Sequence, residues 1–365
     1  MQLVRERPPG FGGVERVAHG LATERGGCVY FMRQPRAKGP EPLGVSYRRH
    51  ALPAVTAGKV LMPLPSFNLM RLLSSRQPLL VHLPCPTVLV LLVLARVIHP
   101  SRVLWVYWHA FLSPRSGLGG SMERLYQRLA LRVVRSMDVI TTSPSLLEAL
   151  ESEGVERLHQ LPCALPAETE AACTRLWQQR VPQRQHATAS VIAIARLDSY
   201  KRIDWLIDAV AASPAVRILQ VIGDGPDRTR LEALARSCLR PDQQAVFHGR
   251  LSEAAKLQQL AMATALVLPA DRCNEAFGIV QLEAMACGIP AIAFDLPRSG
   301  MHWVSALPAL AWSGKPSELA AILQRLLVSE ELQQQASAQA RERYDAHFAV
   351  KRWRRDLHAI VTSRC

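Results

Sequence analysis

The sequence predicts an α/β protein of two Rossmann-like domains, each a parallel sheet wrapped by helices, and three observations carry that prediction. The chain has 365 residues, a length that fits two domains better than one. With 49% hydrophobic and 20% charged residues it can fill two sizeable cores, which excludes a disordered or low-complexity protein. Short apolar runs alternate with helical stretches, as in a doubly wound sheet.

In the first half, strands are expected at residues 2–5, 79–83, 102–108 and 138–142, with a helix over 14–23 after the first. The most apolar stretch, 88–97, is interrupted by Arg96 and bounded by Pro86 and Pro100. It falls short of the roughly 20 residues a membrane-spanning helix needs, so it is expected to be a buried helix. Another helix is expected over 122–137. Residues 166–188 are polar, carry Pro166 and Pro182, and show no strand period, so they are expected to be a linker between domains 1–165 and 189–345.

The second half alternates more cleanly. Strands at 190–195, 216–222, 265–268 and 291–294 are interleaved with helices at 203–212, 227–239 and 277–287. A last helix within 346–365 is expected to pack back toward the first domain. Ligands of such sheets bind outside the carboxyl ends of the strands, so the residues just after each apolar run are where chemistry is sought.

Composition narrows the partners. The eight cysteines contain no Cys-x-x-Cys pair, so neither a zinc ribbon nor a thioredoxin-like motif is present, and reduced cytosolic thiols are expected. The first nine residues place charge and proline where a signal peptide needs an apolar stretch, so secretion is not expected. The formal net charge is +14, and residues 1–165 hold +10 of it.

Four places carry candidate chemistry. After the strand at 190–195, Arg196 and Lys201 set two cations in one loop, able to neutralise a diphosphate or simply to be solvated. Both are expected at the surface, so replacing either is expected to leave folding intact. After the strand at 265–268 comes Asn274-Glu275-Ala276-Phe277-Gly278-Ile279, then a helix that Gly288 and Pro290 end. A helix start near Phe277 offers unpaired N–H groups to a phosphate. Glu275 and Glu283 would lie about 12 Å apart on one helix, too far for a glycosidase pair, so two separate ligand contacts, or two plain helix-face glutamates, are the readings. In the first domain, Gly12 and Gly13 would let a ligand approach the backbone, and His109 ends a strand where it could face the site or be structural.

Taken in this order, these pieces resemble the retaining glycosyltransferases of family 4, in particular the mannosyl- and rhamnosyltransferase-like members of bacterial surface polysaccharide and lipopolysaccharide synthesis. The resemblance is strongest over residues 190–300. It implies the GT-B fold, two Rossmann-like domains facing across a cleft. It also implies that Arg196 and Lys201 hold the donor diphosphate, Glu275 the sugar hydroxyls and Glu283 the ribose. Ala276, Phe277, Gly278 and Ile279 would meet the donor, Gly12 and Gly13 its phosphates, His109 the transferred sugar, and Gly249, Arg250 and Leu251 the base. Glycine is common in the family where Arg202 stands here.

The resemblance thus implies a hexosyltransferase using a nucleotide sugar and a glycan or lipid-linked acceptor. No Asp-x-Asp motif points to a metal-held diphosphate, so no metal or other cofactor is expected. The competing readings are a basic nucleic-acid-binding protein, which no helix-turn-helix, RNP or zinc pattern supports, and another GT-B enzyme such as a sugar-nucleotide epimerase or phosphorylase. At 100° per residue, Arg124, Arg128, Arg132 and Arg135 share one helix face, with Leu125, Leu129 and Val133 beside them expected to pack inward. With the stretch from Lys59 to Arg71, that face predicts peripheral docking on an anionic membrane from the cytoplasmic side.

Overall fold

A computed structural model of the chain describes residues 1–7, 12–33, 45–58, 60–113, 117–180 and 189–362. They form two compact units, Met1–Cys163 with Asp356–Cys365, and Ala164–Arg355.

The first unit holds eight strands: β1 Gln2–Val4, β2 Cys28–Arg33, β3 Arg48–Ala57, β4 Val60–Pro63, β5 Leu79–Leu83, β6 Leu104–Trp108, β7 Asp138–Thr141 and β8 Arg157–Gln160. Their spatial order is β4-β3-β2-β1-β5-β6-β7-β8, and every pair is parallel except β3 with β4. The second unit holds β9 Ser190–Ile194, β10 Ile218–Ile222, β11 Gln244–Gly249, β12 Ala265–Val267 and β13 Ala291–Ile292, in the all-parallel order β11-β10-β9-β12-β13. The central strands are buried on both faces, which is why they read as continuous apolar runs such as Leu104–Trp108 and Ala265–Val267. In both sheets the chain leaves the first strand in opposite directions, toward β2 and β5 in one and toward β10 and β12 in the other. The crevice at that reversal is where parallel sheets bind ligands.

Several expectations are corrected. Residues 167–180, expected as linker, form the helix Ala167–Arg180; Pro166 directly precedes it, where proline suits a helix start rather than breaking a helix. The rest of that stretch, 181–188, lies outside the described residues. The apolar helix Pro86–Ile98 is not wholly buried: Val88, Leu89, Leu91, Leu92 and Ala95 face the core, while Val90, Leu94, Val97 and Ile98 are exposed. The helix expected from Phe277 starts at Ile279, with Gly278 as its left-handed cap at φ 72°. A Cβ on Gly278 would stand 2.4 Å from Leu268 Cδ2, so only glycine fits both the dihedral and the space. The last helix runs Val350–Thr362.

The arginine face also differs. Its helix is Leu118–Val134, and Arg135 is its C-cap. Ala130, Leu131 and Val134 are the buried side, and Gln127 Oε1 accepts from Leu112 N at 2.7 Å. Leu125, expected to pack inward, is 57% exposed, and Leu129 is exposed with it. The reason is angular: the inward residues follow Leu125 and Leu129 by one or two positions, which turns those leucines onto the arginine side.

Candidate functional site

In the second unit, three loops at the carboxyl ends of β9, β10 and β11 are joined backbone to backbone. Ala195 N donates to Ile222 O at 3.0 Å, Leu197 N to Asp224 O at 3.1 Å, and Gly223 N to Gly249 O at 2.8 Å. A Cβ on Gly223 would lie 1.9 Å from Ala195 O, so glycine there serves this close approach of main chains. The left-handed Gly249 ends β11; Arg250 after it is exposed and Leu251 half-buried.

The reversal in strand order lies between β9 and β12, and the sequence-predicted donor residues meet there. Lys201 closes a short 3-10 turn, Ser199–Lys201, after β9, and its ammonium donates to the Glu275 carboxylate in the loop after β12. The same ammonium stands 5.1 Å from the centre of the Tyr200 ring. Asp271 N donates to Tyr200 O at 3.0 Å, tying the two loops through backbone as well. Burial pulls the Lys201 pKa down, but the Glu275 carboxylate beside it outweighs this and holds the group above its ordinary value. Lys201 is therefore a fixed cation, only 9% exposed, whereas the sequence placed it at the surface.

Arg196 differs in kind. Its side chain is 70% exposed and reaches Asp198 Oδ2 at 3.1 Å, leaving it placed to meet an incoming anion. Arg202 holds a left-handed φ of 49°, the conformation that suits the glycine common at this position in the resembled family. Here that backbone is offset by side-chain contacts: to Asp204 at 3.0 and 3.2 Å, to Asp271 at 3.1 Å, and over the Trp205 ring at 4.0 Å.

The loop after Glu275 is anchored from the other side. Ser299 Oγ donates to Glu275 O at 2.6 Å and Gly300 N to Ala276 O at 2.7 Å. Ala276 and Phe277 are buried, and the helix Ile279–Ala286 follows, its N-terminus at the same strand ends. Ser299 was not legible as a site residue, since a lone serine in a loop carries no pattern.

Glu283 stands apart from Glu275. It lies one turn into that helix, 1% exposed, with Lys256 Nζ 2.8 Å from its Oε2 and 2.9 Å from its Oε1. Glu275 precedes the helix, so the two glutamates do not share one helical face. Lys256, itself buried, also reaches the exposed Glu253 at 2.7 Å. The sequence reading missed Lys256; its signal was a lysine on the same stripe as Leu257, Leu260 and Ala261.

The first unit carries its own candidates. Gly12 caps the helix Gly13–Arg25, and the carboxylate of buried Glu15 folds back to it, 2.2 Å from where a Gly12 Cβ would stand. Burial raises the Glu15 pKa. Pro8 to Phe11 lie outside the described residues. His109 follows β6, buried, its backbone N–H donating to Leu83 O at 2.8 Å and its ring lying nearly parallel to that of Tyr107 with centres 4.5 Å apart. Arg124, Arg128, Arg132 and Arg135 are all exposed.

Residues 178–343 match the family described as "Glycosyl transferases group 1". The exopolysaccharide phosphotransferase SCO2592 of Streptomyces coelicolor is 26% identical over 277 residues, covering 73% of this chain and 27% of that protein. A GDP-mannose-dependent alpha-mannosyltransferase of Mycobacterium tuberculosis is 30% identical over 265 residues, covering 70% of this chain and 66% of that protein. The chain spans about a quarter to two fifths of the length of the first curated relatives it matches. The solved structure of Anabaena Alr3699/HepE in complex with UDP-glucose covers 100% of both chains with a TM-score of 0.74 at 18% identity, a likeness that shows the fold, GT-B.

Proposed function

We infer the activity from one premise, that this chain belongs to the glycosyl transferases of group 1. It moves a hexose, mannose- or rhamnose-like, from a nucleoside-diphosphate sugar to a glycan or lipid-linked acceptor, with retention and without a metal, in surface polysaccharide or lipopolysaccharide synthesis. The observation that carries this reading is the Lys201–Glu275 pair at the reversal point of the second sheet. A fixed cation and a carboxylate there suit a ligand with a diphosphate at one end and hydroxyls at the other. The names of two relatives or neighbours, one GDP-mannose-dependent and one in complex with UDP-glucose, support the donor class.

The chemistry follows from where charge develops. As the bond from the anomeric carbon to the diphosphate breaks, negative charge grows on the departing oxygens. Arg196, Lys201 and the N-terminus of the helix Ile279–Ala286 stabilise that charge. The acceptor hydroxyl attacks from the same face and gives its proton to the departing diphosphate, which keeps the anomeric configuration. Glu275 holds Lys201 charged and accepts from sugar hydroxyls.

A thermal-shift panel of nucleoside diphosphates and their hexoses tests the donor. A ligand at a hundred times its Kd stabilises the native state by about 2.7 kcal/mol, so one base series is expected to raise the melting temperature by several degrees. Salt-sensitive DNA binding with no response to any nucleotide sugar would support the nucleic-acid reading instead.

The first unit is read as the membrane-docking side, located on the cytoplasmic face of the inner membrane. Exposed Met122, Leu125 and Leu129 stand beside the exposed arginines of helix Leu118–Val134. The neighbouring helix Pro86–Ile98 packs against that helix and against Phe67–Ser74, whose Phe67 is 79% exposed. No described helix is long and apolar enough to cross a membrane, so these faces would lie on the surface of one. Each arginine near an anionic surface contributes about 1 kcal/mol. Sedimentation with anionic vesicles at low salt is expected to carry the protein down, and neutral vesicles to leave it in solution. Binding indifferent to lipid charge, or unchanged when Arg124, Arg128, Arg132 and Arg135 become glutamine, would contradict this role.

A further inference from the structure

Three buried polar side chains of the first unit form one line of hydrogen bonds. Gln2 Oε1 lies 2.9 Å from His82 Nε2, and His82 Nδ1 lies 2.8 Å from His109 Nε2. Gln2 stands on β1, His82 on β5, and His109 just after β6, so three adjacent strands of the sheet contribute one group each. The rings are held in nearly parallel planes: His82 and His109 lie edge to edge, their centres 5.1 Å apart and their planes 21° apart, and Tyr107 lies nearly parallel to both, at 5.8 and 4.5 Å. Tyr107 is itself fixed by its hydroxyl donating to Leu161 O at 2.8 Å.

With Gln2 Oε1 turned toward His82, the line has one consistent proton arrangement. An amide oxygen only accepts, so His82 Nε2 carries a hydrogen and donates it to Gln2. Both rings are buried, and burial pushes the His82 pKa down to about 3 and that of His109 well below its ordinary value, the neighbouring His82 adding to the second shift. A neutral imidazole with its proton on Nε2 has a bare Nδ1, which can only accept. His109 Nε2 must then be the donor of the 2.8 Å bond, and its own Nδ1 is left as a lone pair.

We infer that His82, oriented by Gln2, is a positioning residue that fixes His109 as the Nε2–H tautomer, so that His109 offers Nδ1 as an acceptor for a sugar hydroxyl. The inference rests on the reading of His109 as a residue that meets the transferred sugar. Its logic is that of any histidine whose working nitrogen is selected by the bond at the other one. A tautomer flip would turn the acceptor into a donor and present an N–H to a hydroxyl hydrogen.

The test labels histidine with ¹⁵N in the full chain and identifies the His109 ring signals by their loss in His109→Gln. In the wild type, His109 is expected to show a protonated Nε2 and a bare Nδ1. His82→Asn, whose Oδ1 takes the place of the Nδ1 acceptor, is expected to keep that signature and most of the transfer rate. His82→Leu and, as a second variant, Gln2→Met are expected to mix or reverse the tautomers and to lower kcat by about a hundredfold, with nucleoside diphosphate affinity unchanged. A wild-type His109 protonated on Nδ1, or a signature that His82→Leu and Gln2→Met both leave intact, overturns the inference. So does a reversed tautomer with full turnover. Full activity in His109→Gln would instead sink the premise about His109, while the tautomer result would stand by itself.

Discussion

Lys201→Ala is expected to weaken nucleoside diphosphate binding by about tenfold to a hundredfold, the loss of one charge-assisted contact of about 1.5–3 kcal/mol, and to destabilise the second unit as well. The second effect comes from Glu275. Removing the ammonium strands a largely buried carboxylate, and breaking a buried pair from one side costs about 3–5 kcal/mol, the lower figure applying here because Glu275 keeps 18% side-chain exposure. Sequence alone placed Arg196 and Lys201 together at the surface and expected both replacements to fold normally. The structure divides them: Arg196→Ala is expected to fold like the wild type and to lose donor affinity alone. Urea denaturation of both variants, alongside calorimetry with the diphosphate, separates the effects. Wild-type stability and affinity in Lys201→Ala would remove it from the site.

Glu283→Ala is expected to be the most destabilising change of the site, costing about 3–5 kcal/mol, because it takes the buried carboxylate from the buried Lys256 ammonium and leaves it paired with the exposed Glu253. The family resemblance implies a ribose contact for Glu283, yet here its carboxylate is enclosed against Lys256. The two roles part in the double variant Lys256→Met/Glu283→Leu, where both charges are replaced by apolar groups of similar size. Such replacement of a whole buried pair is often neutral or stabilising, so the double variant is expected to be well above Glu283→Ala in stability. If Glu283 is an anchor, diphosphate affinity returns with it. Affinity that stays lost in a stable double variant would restore the ribose contact.

The fold was legible where strands are buried on both faces. β5, β6, β7, β9, β10 and β12 stand out as apolar runs, and their positions agree with the sequence reading to within a few residues. Of the strands that escaped it, β2 is apolar and buried and lay hidden between the expected first helix and the polar stretch after it, while the others lie toward the sheet edges or carry polar residues. β3 begins Arg-Arg-His and contains Pro53, β8 reads Arg-Leu-His-Gln, and β11 is only partly covered. Among the site residues, Arg196, Lys201 and Glu275 were legible as residue types after strands. That Lys201 and Glu275 form one pair was not, because the strand order joining the loops after β9 and β12 is a long-range fact. Burial decided the rest. A lysine reads as surface until a carboxylate 74 residues away encloses it, and the Gln2–His82–His109 line spans three strands with no local spacing to betray it.

The central claim is that a nucleoside diphosphate sugar is held at the carboxyl edge of the second sheet, between the Arg196–Lys201 loop and the Glu275 loop. Calorimetric titration of the wild type and of Arg196→Ala with the nucleoside diphosphate of the responding base tests it most directly, since this variant leaves the buried pair and the fold untouched. The account predicts saturable one-to-one binding in the wild type, weakened about tenfold or more in Arg196→Ala at equal stability. Equal affinity in the two proteins, or no diphosphate binding by the wild type, would contradict it.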